Sequence, residues 1–178
     1  MGNDKITLQI PLSKNKIVLS SIGSLVFVIM GIWFIIDFAA MQTRFPPFLI
    51  RLAGFVTVLF FGGTFAFSIK KFFDKKPGLI IDEKGIIDNT SGVSIGLIEW
   101  KSITGFRSKQ IMSTRILLID TNDPEKFVAK ASGLKARIMR TNYNMYGTPL
   151  AIGSTTLKYN FDDLETLLKT AMIKNKGY

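Results

Sequence analysis

Neither cysteine nor histidine occurs anywhere in the 178 residues. Their absence removes disulfides, thiolate nucleophiles, imidazole general bases and nearly every zinc or transition-metal site, and with them most hydrolase triads. No catalytic residue, cofactor or metal ligand is therefore expected. Acidic residues are also scarce, at 13 against 23 Lys and Arg, which leaves a net charge of +10. The adjacent carboxylates Asp82-Glu83 and Asp162-Asp163 fall on a predicted turn and a predicted helix start, positions that structure alone explains. Gly92–Gly96 (GVSIG) lacks the Gly-Lys-Ser/Thr of a phosphate loop. No spacing of serine and lysine points to a dyad, so the sequence reads as that of a non-enzyme.

Charge is missing altogether from Ile17 to Ile36 and nearly so from Phe48 to Ile69, where Arg51 lies in the first turn and can reach headgroups. At about 1.5 Å per residue each run matches a hydrocarbon thickness of about 30 Å. Two transmembrane helices, 17–36 and 48–69, joined by a short external loop at 37–47 containing Pro46 and Pro47, make a hairpin of antiparallel neighbours. A cleaved leader would have a shorter apolar core and small residues where Asp37 and Phe38 stand.

Lys5, Lys14 and Lys16 precede the first run and Lys70, Lys71, Lys75 and Lys76 follow the second, against Arg44 in the loop. This asymmetry predicts both termini in the cytoplasm. It also accounts for the basic composition, because cations beside anionic headgroups are favoured by about 1 kcal/mol each. Nucleic acid is not an expected partner, since no recognition-helix signature is present. Small residues four apart, Ser20 and Ser24 in the first helix and Gly62 and Ala66 in the second, are candidate helix–helix contacts, within one hairpin or across a homodimer.

Outside the apolar runs the pattern is that of a β-rich domain at 77–178, behind a basic linker at 70–76. Strands are predicted at 78–82, 85–88, 94–100, 103–108, 115–120 and 148–152, with turns at Glu83-Lys84 and at Asn89–Gly92. Asp123-Pro124-Glu125 starts a basic amphipathic helix over about 124–146. Phe127, Ala131, Leu134 and Ile138 form its apolar face, and Gly133 is a weak point. Asn160 caps a closing helix with Leu164, Leu167, Leu168 and Ala171 on its stripe. In the tail at 1–16, Ile6, Leu8, Ile10 and Leu12 alternate with period two, and Pro11 restricts that strand to a sheet edge.

Two segments carry a family likeness. The run GLIIDEKGIIDNTSGVSIGLIEWKSITGF, with its Asp-x-x-Gly turn and strand-ending Trp100, resembles the opening hairpins of the pleckstrin-homology-like (PH-like) domains of small bacterial membrane proteins. TPLAIGSTTLKYNFDDLETLL resembles their last strand and closing helix. With the two preceding spans, the layout is similar to an uncharacterised bacterial two-span family. The resemblance implies an α+β membrane protein: a transmembrane hairpin plus a PH-like, partly open antiparallel β-barrel with a C-terminal capping helix, here with one inserted basic amphipathic helix. It implies a bacterial inner-membrane location and a superfamily that binds peptides, proteins or lipids. The phosphate grip of its lipid-binding members does not carry over, because the first hairpin offers Asp82, Glu83 and only Lys84.

The expected function is a membrane-anchored module presented to a protein partner, through strand 94–100 or the basic helix. The alternative is sensing of an anionic lipid surface by Lys126, Lys130, Lys135, Arg137 and Arg140, with Lys70, Lys71, Lys75 and Lys76 next to the bilayer. An immunity-type protein against a membrane-active toxin also fits the size and the hairpin.

Overall fold

The computed structural model describes residues 7–111, 114–153 and 156–176. Five helices and two antiparallel sheets make it an α+β protein. Its contacts divide it into a helical unit, Lys14–Lys75, and a sheet unit formed by the segments on either side.

In the helical unit, α1 (Lys14–Met41) and α2 (Pro47–Phe73) are long and apolar enough to cross a membrane. Only 11% of the most apolar window of each helix is buried, whereas the core helix of a soluble fold is mostly buried. Both helices outrun the apolar runs of the sequence. A π-helical turn at Phe34–Phe38 carries α1 through Asp37 to Met41, with the Phe34 and Phe38 rings stacked on each other and both tilted against Trp33. The connection is thereby cut from the expected 37–47 to 42–46. Gln42 braces it, donating to the Phe45 carbonyl at 2.6 Å and accepting from the Phe45 N–H at 2.9 Å. Pro47 at the first helical position starts α2, where its missing N–H costs nothing. At the other end Lys14 Nζ donates to the carbonyls of Phe72 and, at 2.8 Å, Asp74, satisfying groups that the end of α2 leaves open.

In the sheet unit, β1 (Leu8–Ile10), β2 (Leu79–Ile81), β3 (Gly85–Asp88) and β4 (Gly96–Glu99) form one sheet in that order. β5 (Ile103–Ile111), β6 (Thr114–Thr121) and β7 (Leu150–Gly153) form the second. The two remain separate open sheets and do not close into a barrel. The β2–β3 turn is the Asp82–Gly85 segment: Asp82 Oδ1 accepts from the N–H groups of Lys84 and Gly85 at 2.8 and 3.0 Å. Gly85 is required there, since a Cβ would lie 2.1 Å from the Ile98 carbonyl oxygen across the ladder.

β1 pairs antiparallel with β2, Ile10 opposite Leu79, and the residues after it bond to the far end of the chain. Ser13 N–H donates to the Thr156 carbonyl at 2.8 Å and Lys158 N–H to that of Pro11 at 3.0 Å. Pro11 thus sits where its missing donor is not needed. The helical hairpin is consequently an insertion between two hydrogen-bonded strands of one sheet.

Side chains from both sheets share one core, with Ile10, Leu79, Ile86, Ile98, Leu117 and Ile152 all at 1% exposure or less. Each such side chain stabilises the fold by about 1.5–3 kcal/mol. Trp100 is buried at its edge and donates Nε1–H to the Asp82 carbonyl at 2.8 Å, so it belongs to the core rather than to a ligand pocket. Asn160 caps α5 (Phe161–Lys176), its side chain accepting from Asp162 N–H at 2.8 Å, and Leu164 and Leu168 pack into the core.

The single helix expected at 124–146 is two helices, α3 (Pro124–Ala129) and α4 (Gly133–Tyr146). Ser132 is extended and Gly133 adopts φ +57°, a left-handed conformation that glycine takes without penalty. The break resets the helical phase. Phe127 and Val128 of α3 are buried, but in α4 the inward residue is Met139, and Leu134 and Ile138 are exposed, contrary to the apolar face predicted for them.

Candidate functional site

Two surfaces stand out. The first is the edge of β4, which pairs with no further strand among the described residues. Trp100 N–H donates to the Lys84 carbonyl at 3.2 Å, so alternation along an antiparallel ladder turns the N–H and C=O of Leu97 and Glu99 away from β3, toward the open side. Leu97 is 37% exposed there. Lys101 sits 2.9 Å from the Glu99 carboxylate and donates to it, holding that carboxyl below the usual range. A cavity of about 10 Å³ lies between β4 and β7, lined by Ile95, Ile98, Ile119 and Leu150 among others, and has room for roughly one water rather than a ligand.

The second surface is the α3–α4 segment. Of its five cations, two are committed internally. Lys135 Nζ donates to the Ser94 carbonyl at 2.6 Å, tying α4 to the approach of β4, and Arg140 pairs with Glu125 of α3, which raises the guanidinium pKa. Lys126, Lys130 and Arg137 are exposed, with Lys130 lying over the Phe127 ring at 5.5 Å. The C-terminus of α4 is fixed by Gly147 at φ +77° and by Arg107, which donates to the Tyr146 carbonyl at 2.8 Å. Arg107 also grips Asp120 with two bonds of 2.6 Å, a planar fork that keeps α4 against the second sheet.

The lysines at the end of α2 and just after it differ in exposure. Lys70, Lys75 and Lys76 are exposed, but Lys71 is buried and pairs with Asp74 at 3.2 Å.

The helix–helix candidates also divide. Ser24 is buried and Ser20 Oγ lies 3.5 Å from Ser68 Oγ. A Cβ on Gly62 would meet nothing within 4 Å and Ala66 is exposed, so neither is at the crossing. The close approach is between Gly31 and Gly54, where a Cβ on either glycine would come within 2.7–3.0 Å of the other's carbonyl oxygen. Phe27 and Phe61 stack alongside at 4.3 Å.

Sequence reasoning missed Gly31 and Gly54 because they have no small partner four residues away, and backbone contact across helices needs only one small residue on each. It also missed Met145, which extends the exposed line of Leu134 and Ile138. Among the described residues no cluster of His, Cys, Asp or Glu is arranged to hold a metal ion. Comparison with protein-family models, with curated proteins and with solved structures finds no match.

Proposed function

We propose that this chain is a non-enzymatic, membrane-anchored binding module, holding a PH-like domain at the cytoplasmic face of a bacterial inner membrane for a protein partner. The observation that carries the reading is the insertion of the apolar hairpin between β1 and β2. Strands that exchange hydrogen bonds lie on the same side of any bilayer, so a hairpin that enters the bilayer must cross it twice and return the chain to the domain it left. The lysines flanking the hairpin favour the cytoplasm as that side. The PH-like reading is supported by seven strands in groups of four and three followed by a closing helix, together with the Asp82–Gly85 turn and Trp100.

The edge of β4 is the surface offered to the partner, which adds an extended segment by backbone hydrogen bonds at Leu97 and Glu99. Confinement to the membrane raises the effective concentration of such a short contact. A photo-crosslinking residue at position 97, tested in native membranes, is expected to give a discrete protein adduct, and one at exposed Thr166 is not. Added to the position-97 variant, Glu99→Pro removes an outward N–H at a residue whose φ of −68° proline adopts, and should abolish the adduct while the domain stays folded. Absence of any adduct at 97, or an adduct insensitive to the proline, would overturn the reading.

A further inference from the structure

Helix α4 shows solvent the residues that an amphipathic helix ordinarily hides. Its inward side is Met139, with Ala136 and Tyr143 half-buried, whereas Leu134, Ile138 and Met145 are 72, 38 and 64% exposed. At about 100° per residue these three fall within an arc of about 40°, making one line along the helix. Arg137 and then Arg140 follow on one flank of that line and Lys135 on the other. No Asp or Glu occurs in the 14 residues of α4. The nearest carboxylates in the chain, Asp123 and Glu125, are engaged as the cap of α3 and as the partner of Arg140. Arg137 has no carboxylate partner among the described residues.

We propose that this line is a peripheral membrane contact: Leu134, Ile138 and Met145 enter the headgroup–acyl boundary of an anionic bilayer, and Arg137 and Lys130 engage lipid phosphates. A cation-flanked apolar stripe without acidic residues is the composition that lies in such an interface. Arginine can hold a phosphate through two donors, and an unbranched methionine adapts to a fluid surface. A second copy is disfavoured as the occupant, because a two-fold pairing of α4 would set Arg137 and Arg140 against their own counterparts. The contact rests on the chain being membrane-inserted and adds a second, reversible attachment through the sheet unit.

The absence of cysteine makes a direct test available. Leu134→Cys and Met145→Cys, with Thr166→Cys on α5 as control, are labelled with an environment-sensitive fluorophore in the full chain. Each is reconstituted in nanodiscs of phosphatidylcholine with or without phosphatidylglycerol. In the anionic discs, positions 134 and 145 should shift to the blue and be quenched several-fold by acyl-chain spin labels, with position 166 unchanged. High salt, or Lys130→Glu with Arg137→Glu, should remove most of the quenching. Co-elution with the discs but solvent-like emission at 134 and 145 overturns the contact alone. Failure to co-elute overturns the membrane reading and the contact together. Shielding that rises with protein concentration in detergent identifies a second copy, and shielding seen only in native membranes identifies a protein partner; either also overturns it.

Discussion

At the scale of single residues, glycine does the most positional work. Gly31 and Gly54 let the two long helices meet backbone to backbone, whereas Gly63 faces open space on the same helix as Gly54. Gly54→Leu is therefore expected to destabilise the hairpin by about 1–3 kcal/mol through overpacking, and Gly63→Leu to leave it nearly unchanged. Thermal unfolding of the full chain in detergent checks this, and equal losses for the two variants would place the crossing elsewhere. Charged residues serve mainly as internal ties. Arg115 donates to Asp162 at 2.7 Å and lies over the Phe161 ring at 4.2 Å, joining β6 to the start of α5 and holding the Asp162 carboxyl below its usual range. Lys135 and Arg140 are committed in the same way, to the Ser94 carbonyl and to Glu125.

At the scale of elements, β1 is the piece on which the architecture turns. Only three residues long, it buries Ile10 and leaves Gln9 exposed. Ile10→Ala should cost about 2–5 kcal/mol and Gln9→Ala almost nothing. Denaturant titration of the full chain distinguishes the two, and a negligible loss for Ile10→Ala would mean that β1 is dispensable to the sheet. The strands were legible in the sequence because turn residues punctuate short apolar runs: Asp82–Gly85 and Asn89–Gly92 bound β2 and β3 within a residue or so. The N-terminal strand was legible from alternation and from Pro11.

The α3–α4 segment was not legible in the same way. Helical periodicity was continued through Gly133 from Phe127 to Ile138, and a residue at φ +57° resets that phase, turning Leu134 and Ile138 outward. Sequence periodicity reports which residues share a face only while the axis is continuous. The two long helices extend beyond the uncharged runs for a related reason: absence of charge marks the apolar stretch, while helix ends are set by Lys14, by the π-turn past Asp37 and by Pro47. Candidate lipid contacts read from the sequence rest on charge, and charge does not tell a committed cation such as Lys71 or Arg140 from an exposed one such as Arg137.

At the scale of the whole molecule, connectivity supplies a constraint that neither unit carries by itself. A hairpin inserted between paired strands can cross a bilayer only an even number of times, whichever way the positive residues point. The two long helices are exposed over most of their apolar surface, which water does not favour and lipid does. The proposed binding function rests on this arrangement: a sheet unit with an open edge, joined to an apolar hairpin at both of its chain connections.

The most direct test uses membrane-impermeant thiol labelling of single-cysteine variants in a chain that has no cysteine of its own. Arg44→Cys in the connection and Thr166→Cys on α5 are probed in intact cells and in inverted membrane vesicles. The account predicts that position 44 reacts only from outside the cell and position 166 only from inside. Labelling of both positions from one side, or of position 166 in intact cells, would contradict it.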